Sequence, residues 1–141
     1  MKFFAFFSLF VSLVFTQGSP NVYWNSLATD VTVGVPLVDD PTLIGGRIQI
    51  KVSFNGGKSY EEMGEIFTIE KSDIDDLKNV SVPAGIFEAM PGFSERGKAQ
   101  FIAKVWDRAG NSVEGAVSDS VLSIDETVPT LVSLKIISSN E

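Results

Sequence analysis

The chain has 141 residues, of which 44% are hydrophobic and 21% are charged, and its net charge is −7. A single domain is expected for this length, and a chain of this size can bury an adequate core without disulfides. The sequence contains neither cysteine nor histidine, which excludes disulfides, thiolate or imidazole metal sites and Ser-His-Asp catalysis. The excess of 18 acidic over 11 basic residues opposes binding to a phosphate backbone, so no nucleic-acid partner is expected.

Residues 1–18 have the organisation of a secretory signal peptide. Lys2 is the only charged residue in this segment, residues 3–15 are apolar apart from two serines, and small or polar residues follow. The apolar run is shorter than the roughly 20 residues that span a bilayer, and this order of features is typical of export signals. We expect cleavage after Gly18, no membrane-spanning segment in the mature chain, and a location outside the cell or on its envelope. The alternative is a retained anchor or a buried strand.

Two runs of alternating apolar and polar residues predict long strands. The first extends from Arg47 to Phe54 and ends at the turn-forming Asn55-Gly56-Gly57. The second extends from Ala99 to Trp106 and ends at a turn over residues 107–111. Period-two alternation followed by such turns is typical of half-buried antiparallel strands. The side chains expected in the core are the apolar members of these runs: Ile48, Ile50, Val52, Phe54, Phe101, Ala103 and Val105.

Shorter strands are expected at residues 31–35, 66–69 and 117–124. Residues 72–93 are expected to form a connection, with one helical turn from Ser72 through Leu77 and a short strand over residues 80–82. No segment has helical periodicity over ten or more residues. Short strands separated by turns at this spacing predict an all-β, antiparallel sandwich.

Two motifs near the C-terminus resemble those of bacterial immunoglobulin-like (Ig-like) domains in exported multi-domain repeat proteins. The segment 101–112 (FIAKVWDRAGNS) is similar to the penultimate strand and turn of such domains, and the segment 121–129 (VLSIDETVP) is similar to their last strand and linker. Residues 52–60 resemble the central hairpin. The resemblance implies an Ig-like sandwich over residues 19–129, with residues 61–98 longer and more broken than the usual connection.

The residues after this domain bear on the organisation of the whole protein. Residues 130–141 resemble the first strand of a next Ig-like domain, and the alternative is a C-terminal strand that folds back onto the first domain. The resemblance implies a non-catalytic structural or adhesive module at the N-terminus of a larger exported protein. Its expected partners are neighbouring Ig-like domains of the same chain, with surface glycans or proteins as further candidates. The alternative is an accessory, carbohydrate-binding domain of a secreted hydrolase whose catalytic part lies downstream.

The sequence indicates no catalytic or cofactor-binding residue, and calcium is the one candidate metal. Asp107, Asn111 and Asp125 are the candidate ligands, because they follow neighbouring predicted strands and calcium takes several oxygen ligands. The alternative for these residues is turn capping on a solvated surface. Trp106 is the candidate ligand-binding residue, because alternation places it opposite the core-facing Phe101, where an indole would stack on a carbohydrate. Core or edge packing is the alternative for Trp106.

Overall fold

The computed structural model describes residues 22–115, 117–118, 120–133 and 135. The signal peptide predicted for residues 1–18 lies outside the described residues. Within them the chain forms eight strands, a 3₁₀ turn at Pro41–Leu43 and one short helix. In chain order, the strands and the helix are β1 Val22–Trp24, β2 Asp30–Leu37, β3 Arg47–Ser53, β4 Glu61–Thr68, β5 Asp76–Pro83, α1 Ala84–Glu88, β6 Lys98–Trp106, β7 Ser112–Glu114 and β8 Leu122–Ile124.

The strands form two sheets, and β6 is the central strand of the larger one. The larger sheet has the order β1-β8-β6-β3-β4, with β7 also paired to β6, and β2 and β5 form the smaller sheet. Strand β3 pairs with one edge of β6, whereas the other edge is shared by β7 near Trp106 and by β8 near Lys98. The pairings are antiparallel except for that of β1 with β8, which is parallel.

The two sheets enclose one hydrophobic core. Buried side chains of β2 and β5, such as Val33 and Val80, belong to the same cluster as those of β3 and β6. The inward facing predicted for β3 and β6 is confirmed, because six of the seven residues are at most 2% exposed: Ile48, Ile50, Val52, Phe101, Ala103 and Val105. The seventh, Phe54, lies beyond the end of β3 and is half-buried. Burial of each large apolar side chain stabilises the fold by about 1.5–3 kcal/mol, and the expected all-β class is confirmed.

The segment 72–93 is more regular than its sequence predicts. The helical turn predicted through Leu77 is wrong, because β5 pairs with β2 in unbroken register from Asp76 opposite Leu37 to Pro83 opposite Asp30. The strand is also longer than the predicted 80–82. Pro83 is tolerated because it is the last residue of the strand, and α1 follows it directly.

The predicted strand at 117–124 forms regular structure only over β8. Before β8, the main-chain N–H of Ser118 donates to the carbonyl of Phe101 (2.9 Å), and the Ser118 hydroxyl accepts from the main-chain N–H of Phe101 (3.2 Å). A serine side chain therefore replaces a main-chain acceptor along this edge of β6. Of the segment predicted to begin a second domain, residues 130–133 and 135 are described; they are exposed and belong to neither strand nor helix.

An irregularity between β3 and β4 explains a buried polar side chain. Ile50 lies opposite Met63 but Ile48 lies opposite Phe67, so β4 has two more residues than β3 over this stretch. Gln49, which alternation predicts to be exposed, is only 3% exposed. Its amide Nε2 donates to the carbonyls of Met63 (3.1 Å) and Gly64 (3.3 Å). The side chain thereby satisfies acceptors within the bulge, where buried main-chain groups need a partner.

Candidate binding site

Trp106 lies on the outer face of the larger sheet beneath two cationic side chains. Arg47 is its cross-strand partner on β3, and Lys104 precedes it by two positions on the same face of β6. The Arg47 guanidinium carbon lies 4.9 Å and the Lys104 ammonium nitrogen 5.0 Å from the centre of the indole ring. Such cation–π contacts contribute about 0.5–1 kcal/mol at exposed sites. The half-buried indole is on the predicted face, but side chains of its own sheet pack over it.

Asp107 and Asn111 close the hairpin between β6 and β7. The Asp107 carboxylate accepts from the Asn111 main-chain N–H (2.9 Å) and from the Asn111 side-chain amide (2.8 Å), one at each oxygen. The side-chain bond from Asn111 is the main cause that lowers the pKa of Asp107 below its usual value; main-chain amides of the turn add to it, and desolvation opposes it. Both residues therefore act in the structure as a turn cap.

Asp125 lies at the opposite end of β6 from this hairpin. Lys98 is paired with Ser123 of β8, whereas Trp106 is paired with Ser112 of β7. Eight residue steps along a strand separate the two ends by about 26 Å. The structure thus brings Asp107 and Asn111 together but does not bring Asp125 to them. Among the described residues, no group of three or more acidic side chains is arranged to hold a metal ion.

The Asp107 cap predicts a dependence of stability on pH. Its folded-state pKa lies below the unfolded-state value, so the stabilisation is present above the unfolded pKa, near 3.9, and is lost as the pH falls through the folded pKa. We expect Asp107→Asn to lower the melting temperature at pH 7, and the difference from wild type to shrink below pH 3. Thermal melts from pH 7 to pH 2 measure this. Glu65→Gln is the control, because Glu65 is exposed and no described residue donates a hydrogen bond to its carboxylate; a difference for Asp107→Asn that stays constant with pH would contradict the prediction.

Asp125 lines a groove of about 430 Å³. The walls of the groove come from β1, β8, the turn before β6 and the segment after β8. The lining residues whose side chains carry polar groups are Tyr23, Arg96, Ser123, Asp125 and Thr127. We call this feature the Asp125 groove.

Main-chain and side-chain hydrogen bonds hold the walls of the Asp125 groove in place. The Asp125 main-chain N–H donates to the carbonyl of Trp24 (2.8 Å), which joins the segment after β8 to the end of β1. The Glu95 carboxylate accepts from the Thr127 hydroxyl (2.7 Å) and from the Glu126 main-chain N–H (2.9 Å). These bonds, with that of Thr127 first, lower the pKa of Glu95. The groove is therefore formed before any ligand arrives.

Arg96 lines the Asp125 groove, and its backbone is strained. Its φ of 65° lies in the left-handed region, where a residue other than glycine is uncommon. Its main-chain N–H donates to the carbonyl of Ile124 (2.9 Å), which ties the turn to β8. Arg96 and Asp125 form no ion pair with any described residue, in contrast to Lys51 with Glu114 and Lys78 with Asp73.

The sequence contained a signal for only part of this groove. The sequence predicts Asp125 as an oxygen ligand but gives no indication of Tyr23 and Arg96, because these two residues are far apart in the chain. The parallel pairing of β1 with β8 and the bond from Arg96 to Ile124 bring them together. A parallel pair of three-residue strands leaves no local pattern in the sequence, so no motif would have identified these two residues.

No protein-family model matches the chain, and no curated protein matches it. Within the described residues, the helices fall short of the length and apolarity needed to cross a membrane.

Proposed function

We propose that this chain is a non-catalytic, Ig-like structural or adhesive module of an exported protein. The strand connectivity carries this proposal. In Ig-like sandwiches the strands called B and E lie in one sheet and those called C, F and G lie in the other. Here β2 and β5 correspond to B and E, while β3, β6 and the β7–β8 edge correspond to C, F and G. Connectivity of this kind supports the family resemblance independently of the motifs.

The physical role of the C-terminal motif also supports the proposal. The stretch Asp107 to Asn111, through which the sequence resembles the family, is the turn that joins β6 to β7. Its aspartate and asparagine hydrogen-bond to each other, and Gly110 adopts a φ of 94° that favours glycine. The motif is thus explained by the needs of the hairpin between the strands that correspond to F and G.

The segment after β8 supports a neighbouring domain as partner. Val128, Leu131 and Val132 leave the sandwich with their apolar side chains exposed to solvent. Exposed apolar side chains close together in one segment are typical of a surface that contacts another protein or domain. In the proposed organisation, this segment contacts the next Ig-like domain of the same exported protein.

Export is tested by expressing the full chain in a bacterial host and determining the mass of the exported product. We expect a chain that begins at Ser19, because Gly18 precedes the expected cleavage site. Phe10→Asp is the matched variant, since a charge within the apolar run should retain the chain inside the cell. Export of the Phe10→Asp variant at the wild-type level, or an exported chain that still begins at Met1, would contradict this part of the proposal.

The module role is tested by attaching the exported chain to beads and measuring their retention under flow on immobilised extracellular polysaccharides and proteins. Retention supports an adhesive module. Cooperative unfolding without retention supports a structural spacer. Release of soluble products from any of these polymers would contradict a non-catalytic role.

A further inference from the structure

We infer that the Asp125 groove binds a neutral saccharide. The inference goes beyond the proposed structural or adhesive role, since it assigns a ligand class and a site. The site is also separate from Trp106, which lies at the other end of β6. Three kinds of side chain that line the groove, and the charge around it, lead to this ligand.

The first feature is an exposed aromatic ring. Tyr23 lies on β1 and is 59% exposed, because alternation along the strand points it away from the core face that Trp24 occupies. A phenol ring combines an apolar face with a polar end, a combination suited to a ligand that has both C–H and O–H groups. A pyranose ring has a face of C–H groups that packs against such a ring.

The second feature is two charged side chains of opposite sign. Arg96 offers only donors and Asp125 only acceptors. Neither is in a close ion pair within the described chain, although, beside the bond from Thr127, the charge of Arg96 helps to lower the pKa of Glu95. The Asp125 carboxylate accepts one long bond, from the Thr127 main-chain N–H at 3.3 Å. Sugar hydroxyls both donate and accept, so they suit a groove that offers both a donor and an acceptor side chain. Bonds that involve a charged partner are the stronger class of hydrogen bond.

The third feature is a set of hydroxyl groups beside these charges. Ser123 and Thr127 also line the groove. The Thr127 hydroxyl donates to Glu95, so its oxygen can still accept a bond from a ligand. The groove therefore presents donors, acceptors and an aromatic ring to one ligand.

The charge around the groove opposes an anionic ligand. Glu126 lies beside it, and desolvation together with the neighbouring carboxylates of Glu88 and Glu95 raises the pKa of Glu126. With Asp125, these carboxylates would repel an acidic sugar, a phosphate or a carboxylate. These carboxylates outnumber the one guanidinium, so charge opposes an anion but does not oppose a cation. The aromatic ring of Tyr23 and the hydroxyl groups of Ser123 and Thr127, rather than charge, favour a neutral polyhydroxylated compound.

The strained backbone of Arg96 provides the sharpest test. Glycine adopts a φ of 65° readily, so Arg96→Gly removes the guanidinium without destabilising the turn. Asp75 is the matched control, because it is the other described residue besides glycine with positive φ (58°) and it does not line the groove. Asp75→Gly therefore relieves the same kind of strain and leaves the groove intact.

The experiment titrates the full chain with short neutral oligosaccharides of β-glucan and mannan, with oligogalacturonate as acidic glycan, and with a neutral unstructured peptide. Calorimetry gives affinities, and amide chemical shifts locate the site. We expect binding of a neutral oligosaccharide, with shift changes at Tyr23, Arg96 and Ser123. Arg96→Gly and Tyr23→Ala should each weaken it at least about tenfold, the effect of one lost charged hydrogen bond or stacked ring. Asp75→Gly and Trp106→Ala should leave the affinity within about twofold of wild type, since neither touches the groove.

Four results of the affinity measurements would overturn the inference. The first is the absence of binding to all of the neutral oligosaccharides at about 10 mM, which corresponds to an affinity too weak for a specific site. The others are tighter binding of oligogalacturonate, binding of the peptide alone, and wild-type affinity in Arg96→Gly. None of them bears on export or on strand connectivity, so a failure here is distinguishable from a failure of the proposed function. Shift changes centred on Trp106 would also overturn it, because the ligand would then occupy the other end of the sheet.

Discussion

Replacing Phe87 with alanine is expected to reduce the free energy of unfolding by about 3–5 kcal/mol, the range observed for large aromatic side chains truncated in a core. Phe87 is fully buried, although it lies on a helix of only five residues. Its ring centre is 4.8 Å from that of Trp24, 5.2 Å from Phe93, 5.8 Å from Phe54 and 6.0 Å from Phe101. The variant loses apolar burial and leaves a cavity among four aromatic rings that cannot close without moving both β1 and β6.

The matched control is Ile86→Ala on the same helix. Ile86 is 37% exposed, so its truncation removes less apolar surface from the core and should cost about 1 kcal/mol or less. Urea denaturation followed by tryptophan fluorescence measures both variants, and Trp24 reports directly on the cluster. Equal losses for the two variants would show that α1 does not hold the core together.

This cluster illustrates what the sequence can and cannot predict. The pattern of residues 47–54 and 99–106 is sufficient to predict β3 and β6, because period-two alternation is local and both strands have one buried face. Helix α1 was missed because a five-residue helix has little more than one turn, too short for a helical period to appear. Its amphipathic character depends on a single residue, Phe87, and on rings that are distant in the chain.

The strand β5 was predicted only in part for a related reason. Ser72 and Asp75 have the sequence pattern of a helix cap, and Pro83 and Gly85 have that of chain breaks. In the structure, pairing with β2 overrides these local preferences along the whole of β5. The preference of a sequence for a strand depends on the partner strand, and no local pattern identifies that partner.

The candidate site shows the same limit. Sequence reasoning placed Asp107, Asn111 and Asp125 at neighbouring strand ends, but it did not determine which end of β6 each would occupy. One edge of β6 is divided between β7 and β8, with an irregular stretch between them. This division separates Asp125 from the hairpin and brings it to Tyr23 and Arg96 instead.

Gly46→Ala is expected to destabilise the protein by about 3 kcal/mol, at the upper end of the range for overpacking. A Cβ atom at this position would lie 2.0 Å from the carbonyl oxygen of Trp106 and 2.8 Å from that of Leu43. Both neighbours are main-chain atoms, so no side-chain rotation can relieve the contact. The φ of Gly46 is outside the left-handed region, and the requirement for glycine is therefore one of space alone.

The displacement should also reach the outer face of the larger sheet, because Gly46 directly precedes Arg47 and touches the carbonyl of Trp106. Gly85→Ala is the matched control, since a Cβ there meets no atom within 4 Å and alanine is favoured over glycine in a helix by up to about 1 kcal/mol. Urea midpoints should therefore fall for Gly46→Ala and stay level or rise for Gly85→Ala. Equal midpoints would mean that the turn before β3 can move away from β6, and the pairing of Arg47 with Trp106 would then not be fixed by the close approach of the two main chains.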